Sequence, residues 1–158
     1  MFNVGEKVVY PLHGAGIVEA IEEKEVLGEK RKYLVITIPI GNMTVMIPIE
    51  RVAECGLRKV ISEEEVERVM GILSSAETPM AVNWNNRYRS NMEKIKSGDV
   101  FSLAEVVKNL MRREREKGLS TGEKKMLENA KRILVSELML AEDEEEKAIN
   151  SVIEKLVM

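Results

Sequence analysis

Apolar and polar positions follow two different periods along this chain, and the change falls near residue 60. Before it the pattern is that of short strands. Lys7-Val8-Val9-Tyr10 is a strand candidate, and Ile17 to Lys24 alternates over much of its length. Tyr33 to Ile38 is β-branched and almost wholly apolar, which predicts a central strand, and Met43 to Pro48 returns as another. Turns rich in Gly and Pro separate them: Pro11-Leu12-His13-Gly14-Ala15-Gly16, Gly28-Glu29-Lys30 and Ile40-Gly41-Asn42. Five short strands this close together predict a small twisted barrel over residues 1–60.

From Ser62 the period is helical. Ser62 with Glu65 predicts a capping box ahead of the stripe Val66, Val69, Met70 and Leu73. Ala76 to Met80 breaks this helix at Pro79. A second helix carries Trp84, Tyr88, Met92 and Ile95 and stops at Ser97-Gly98-Asp99. Ser102 with Glu105 predicts the start of a third, ending at Gly118, and Ser120 with Glu123 the start of a fourth. The acidic run Glu142–Glu146 suits the positive start of a fifth, whose stripe is Ile149, Val152, Ile153 and Leu156. Short loops predict a compact bundle of about five helices over residues 61–158, so the fold class is α+β. The join Arg58-Lys59-Val60-Ile61 has no Gly/Ser run, which predicts a restricted orientation between the two parts.

Composition narrows the function. Of the 158 residues, 44% are hydrophobic and only 4% aromatic, so the core must come from Val, Ile, Leu and the 10 methionines. No apolar run approaches the roughly 18 residues of a membrane span, and the amino terminus lacks the pattern of a signal peptide. A single cysteine, Cys55, cannot form an internal disulfide and fits a reducing cytoplasm. His13 is the sole histidine, so neither a Cys/His metal cluster nor a His-based nucleophile pair can be assembled. Gly14-Ala15-Gly16 precedes a strand and lacks the later glycine and lysine of a phosphate loop, and Glu142–Glu146 lacks the spacing of a calcium loop. The expectation is a protein with no cofactor, no metal and no catalytic centre.

Net charge is −3, which by itself argues against nucleic acid, but the charges are unevenly spread. Residues 84–132 hold thirteen basic against seven acidic groups, whereas residues 142–158 hold two against six. Inside the basic section lies Asn83-Trp84-Asn85-Asn86-Arg87-Tyr88-Arg89, with the one tryptophan, a tyrosine, two arginines and three amides. A flat ring among guanidinium groups suits a stacked, anionic partner such as nucleic acid. Spacing alone puts Trp84 on the packed face with Tyr88, Met92 and Ile95; as the first member of that stripe it can also protrude.

Several of these segments resemble the CarD/CdnL family of bacterial RNA polymerase-binding transcription regulators. They are Val8-Val9-Tyr10-Pro11-Leu12-His13-Gly14-Ala15-Gly16, Met43-Thr44-Val45-Met46-Ile47-Pro48, the Trp84 segment and Gly118-Leu119-Ser120-Thr121-Gly122-Glu123-Lys124. The opening segment also resembles the polymerase-binding domain of transcription-repair coupling factors. The resemblance implies a Tudor-like barrel that docks on the RNA polymerase β subunit through Lys24, Met43, Val45, Met46 and Ile47. It implies a helical domain that meets promoter DNA near the upstream edge of the bubble, with Trp84 as a minor-groove wedge and Asn86, Arg87, Arg89 and Lys124 on the DNA face. Met46 stands where some relatives carry arginine, so docking is expected to use backbone pairing and apolar contact. The expected state is a cytoplasmic monomer. The rival reading is a protein-interaction adaptor with a Tudor-like barrel, no DNA contact and Trp84 in the core.

Overall fold

The computed structural model describes residues 2–76 and 79–158. Five strands come first: β1 (Lys7–Tyr10), β2 (Gly14–Val26), β3 (Glu29–Ile38), β4 (Met43–Pro48) and β5 (Arg58–Lys59), with one 3-10 turn at Ile49–Arg51. Five helices follow: α1 (Glu63–Ser74), α2 (Trp84–Lys96), α3 (Val100–Glu116), α4 (Thr121–Glu142) and α5 (Glu146–Val157). The α+β class and the count of strands and helices agree with the periodicity. Of the break expected over Ala76–Met80, Glu77 and Thr78 lie outside the described residues.

All strand pairs are antiparallel, in the order β4-β3-β2-β1-β5. β3 lies inside the sheet between β4 and β2, and its second half is apolar as expected, with Leu34, Ile36 and Ile38 fully buried. Its hairpin with β2 is longer than the alternation indicated, and residues 21–32 project as an exposed two-stranded ribbon. The ribbon turns at Leu27-Gly28, both at positive φ, the backbone of a tight two-residue hairpin. The fifth strand lies where a plain join was expected: Arg58 and Lys59 pair with Val9 and Val8 of β1.

Gly14-Ala15-Gly16, expected as part of a turn, opens strand β2 paired with β1, and its glycines let other chain come close. A Cβ on Gly16 would lie 2.5 Å from the carbonyl oxygen of Thr37 in β3, and Gly14 has φ +125° with Ser136 of α4 against it. Between them, the Ala15 N–H donates to Ser136 Oγ at 2.8 Å, and that hydroxyl donates to the Ile133 carbonyl at 2.6 Å. The sheet therefore packs on α4, and apolar side chains of both parts form one continuous core, from Val8, Val18 and Ile36 through Ile61 and Val66 to Leu134, Leu138 and Ile153.

An arginine fork locks the join. Arg58 donates from Nη1 and Nη2 to the two carboxylate oxygens of Glu137 in α4, both at 2.7 Å, and from Nε to the Gly98 carbonyl at 3.2 Å. Glu137 also accepts the Ile61 N–H at 3.0 Å and is 1% exposed. The restricted orientation expected from the short join thus has a specific cause.

Helix starts correct two expectations. The Ser62–Glu65 box is complete, with each side chain bonded to the other's backbone N–H. Ser102 is not a cap: α3 begins at Val100 behind Asp99, whose carboxylate accepts the Phe101 N–H and the Ser102 hydroxyl. Aspartate caps as well as serine, and it comes three residues earlier. At α4, Ser120 accepts the Glu123 N–H, but the Glu123 carboxylate does not return to the Ser120 backbone.

Removing one member of the fork should leave a buried charge alone. Arg58→Ala is expected to cost about 3 kcal/mol of folding free energy in urea titrations, with Arg58→Lys recovering only part, because an ammonium cannot make the paired contact.

Candidate nucleic-acid interface

Trp84 stands at the first position of α2, behind the cap Asn83, whose side-chain oxygen accepts the Asn86 N–H at 3.2 Å. Being first, it has no preceding helical turn to lie on, and its ring reaches sideways to the first turn of α4. It stacks on Tyr88 at 5.3 Å between centroids and 24° between planes. Its Nε1–H donates to Ser120 Oγ at 2.8 Å. The residue remains 43% exposed, so it is a presented aromatic, seated on Tyr88 and Ser120 yet still open to solvent. The packed stripe expected from spacing sinks along the helix: Tyr88 and Met92 are half-buried, and Ile95 is buried.

A shallow groove of about 420 Å³ runs along this face, lined by Trp84, Asn85, Tyr88, Arg89, Met92 and Lys96 among others. Arg89, Asn86 and Lys124 are exposed, as a DNA face requires. Lys96 and Lys125 are exposed as well and were not singled out from the sequence. Lys96 was legible: it follows Trp84, Tyr88 and Met92 at the same four-residue step and so shares their face.

Arg87 departs from the expected set. It is 4% exposed, donates from Nε and Nη2 to the Glu123 carboxylate at 2.7 and 3.1 Å, and donates from Nη1 to the carbonyls of Ala81 and Val82. Its guanidinium is held inside the protein by the Glu123 carboxylate and two backbone carbonyls, not on the exposed face where it was expected. The hydrogen bonds from Arg87 hold the Glu123 carboxyl below the usual carboxylate range, and those to Glu123 raise Arg87 further above its ordinary value.

The residues expected at the polymerase surface divide by strand alternation. Met43, Val45 and Ile47 point into the core, the first two half-buried and Ile47 3% exposed. Met46 points outward, 36% exposed, and Lys24 of β2 reaches it, Nζ to Sδ 3.6 Å. Period-2 geometry allows only one of the two sets to face a partner with its side chains, so Met43, Val45 and Ile47 can offer backbone alone. That backbone is on offer, because β4 ends the sheet. Among the described residues no helix is long and apolar enough to cross a membrane, and no group of three or more His, Cys, Asp or Glu could hold a metal ion.

The chain matches a family model for the CarD C-terminal domain over residues 68–154 and one for the CarD-like/TRCF RID domain over residues 2–61. A protein of Bacillus subtilis (strain 168) named "Putative transcription factor YdeB" is 46% identical over 151 residues, covering 96% of this chain and 99% of that one. The solution NMR structure of the 72-residue N-terminal domain of Myxococcus xanthus CarD is 37% identical, covering 37% of this chain and 79% of that one, with a TM-score of 0.32. CdnLNt from Myxococcus xanthus is 42% identical, covering 40% and 89%, with a TM-score of 0.34.

The buried pair and the exposed cations should separate in stability measurements. Arg87→Ala is expected to cost about 3–5 kcal/mol by leaving Glu123 unpaired, and Arg89→Ala to stay within about 0.5 kcal/mol, both read by thermal unfolding. Acid should act through Glu123. Its pKa is lowered in the folded state, so its contribution is complete above the ordinary carboxylate value of about 4.3 and is lost as pH falls through the folded value. The stability gap between the wild type and Glu123→Gln should therefore be constant above about pH 5 and shrink below it.

Proposed function

The chain belongs to the CarD family, whose members regulate transcription through RNA polymerase, and from that premise we propose a two-handed mechanism. Residues 1–60 dock on the polymerase β subunit. Residues 61–158 meet promoter DNA near the upstream edge of the bubble, where Trp84 enters the minor groove as a wedge and favours the open complex. The protein works in the cytoplasm as a monomer, without catalysis.

The observation that carries this reading is the half-exposed Trp84 ring, seated on Tyr88 and Ser120 rather than sunk in the core. A ring so placed can stack on an unstacked base step with little rearrangement of its own protein. Only a ligand that binds the open form better than the closed one can shift the balance between them, and duplex without a distorted step offers the ring no such site. Arg89, Lys96 and Lys124 flank it and supply phosphate contacts that position without reading sequence. At the other end of the molecule, the outward β4 edge and the Lys24–Met46 pair give a polymerase strand a surface to extend.

One variant tests the wedge. Trp84→Ala should change the melting temperature little, since the residue is still open to solvent, and should weaken open-promoter stabilisation by about 1–3 kcal/mol. A loss of about 3–5 kcal/mol in folding stability with no separate effect on promoter lifetime would mean a core residue and favour the adaptor reading. The charges are tested by salt: replacing Arg89, Lys96 and Lys124 with alanine should flatten the salt dependence of stabilisation by a slope of about one per lost phosphate contact. An unchanged slope with the barrel still bound to polymerase would assign these groups to solvent.

A further inference from the structure

We propose that Ser120 is a positioning residue for the Trp84 ring: its hydroxyl sets the angle at which the indole is presented, and Glu123 and Arg87 in turn fix the hydroxyl. This inference rests on the reading of Trp84 as a promoter wedge.

A serine hydroxyl has one proton to donate and two lone pairs to fill. At Ser120 all three are taken. Trp84 Nε1–H donates to Oγ at 2.8 Å, the Glu123 backbone N–H donates to it at 3.2 Å, and the hydroxyl proton goes to Glu123 Oε1 at 3.2 Å. The same carboxylate is gripped by Arg87 and cannot turn away. The indole is thus the outer end of a chain of hydrogen bonds whose inner end is a buried ion pair.

Capping alone does not account for this arrangement. The Ser62–Glu65 box at α1 has the same residue types, and there the glutamate returns to the serine backbone N–H. The serine hydroxyl donates to the glutamate at both helices, but at α4 the carboxylate turns to Arg87 instead of the serine N–H. With its proton on the Glu123 carboxylate and one lone pair on the Glu123 N–H, the hydroxyl has one lone pair left, and at α4 Trp84 takes it. Packing holds the other side of the ring: Tyr88 stacks on it, and a Cβ added at Gly122 would sit 3.7 Å from both rings, so the α4 backbone lies close below them. A half-exposed indole without the hydrogen bond would sample several staggered positions. Held in one, it loses less freedom when it meets DNA.

Trp84 is the only tryptophan, so time-resolved fluorescence anisotropy of the full chain reports this ring alone. Ser120→Gly removes the hydroxyl while leaving an acceptable cap, and Ser120→Thr keeps the hydroxyl. Ser120→Gly should add a fast depolarising motion of the indole and shorten the open-complex lifetime on polymerase holoenzyme roughly two- to tenfold, the range of one hydrogen bond. Ser120→Thr should restore both. Replacing Trp84 with its sulfur isostere, benzothienylalanine, deletes the N–H while leaving α4 untouched, and should shorten the lifetime by a similar factor.

The controls separate the two ideas. If Trp84→Ala shortens the lifetime but Ser120→Gly and the isostere do not, the positioning role is wrong and the wedge survives. Ser120→Thr behaving like Ser120→Gly would also remove the hydroxyl from the argument. If Trp84→Ala leaves the lifetime unchanged, the wedge itself falls, and this inference with it.

Discussion

Two glutamates on one helix, each gripped by an arginine fork, set the geometry of this molecule. Glu137 of α4 takes Arg58 from the last strand, and Glu123, about four turns earlier on the same helix, takes Arg87 from α2. Both carboxylates are 1% exposed. Pairs this deep add little net stability compared with apolar side chains of equal size, because removing two charges from water offsets their attraction. What a two-pronged fork adds is definition, since it fixes a distance and a plane together. One end of α4 is thereby registered on the sheet, and the other on the helix that presents Trp84.

That registration explains why the glycines of the sheet and the aromatic of the bundle belong to one device. Gly14 and Gly16 let β2 come against α4 and β3, and Ala15 bonds to Ser136, one residue before the Glu137 clamp. The first turn of α4 touches Trp84 through Ser120 and Gly122. In the proposed mechanism the docking surface and the wedge are joined by a strut of 22 residues rather than by a flexible linker. A tether raises the local concentration of the second contact only where its geometry reaches the second site, and a rigid one concentrates the ring at a single place.

The sequence disclosed the parts of this plan that are encoded locally. Strand β1, the apolar β3, the edge strand β4 and the start of α1 follow from period, β-branching and one capping box. At Arg87, Glu123 and β5 the reading failed for one cause, which is that a distant partner decided the outcome. Arg87 was placed on the DNA face because nothing near it in the chain shows that Glu123, 36 positions on, would draw it inside. Glu123 looked like half of a capping box because that motif is local and the fork is not. β5 is only two residues long and carries two cations, so no alternation could mark it; it exists because β1 needs an outer partner and Arg58 has an anchor in α4. Ile47 was placed on the partner surface with its whole segment, although alternation within the strand already assigned it to the opposite face from Met46.

Charge is polarised along the same strut, and this bears on how a chain of net −3 can meet DNA. The amino-terminal end of α4 carries the helix's partial positive charge, exposed Lys124 and Lys125, and the groove with Arg89 and Lys96. Its carboxy-terminal end runs into Glu142, Asp143, Glu144, Glu145 and Glu146, all exposed. At physiological ionic strength charges farther apart than about 8 Å are largely screened, so DNA senses the end it meets rather than the sum. The basic end is small, and an encounter through the acidic end is repulsive. Free in solution, such a protein gains little from random encounters with duplex. In the proposed mechanism the sheet holds it with the basic end turned toward the promoter, so that it presents the favourable pole. In that mechanism the acidic run would weaken untethered binding to DNA and leave the orientation set by α4 to decide where the cations act.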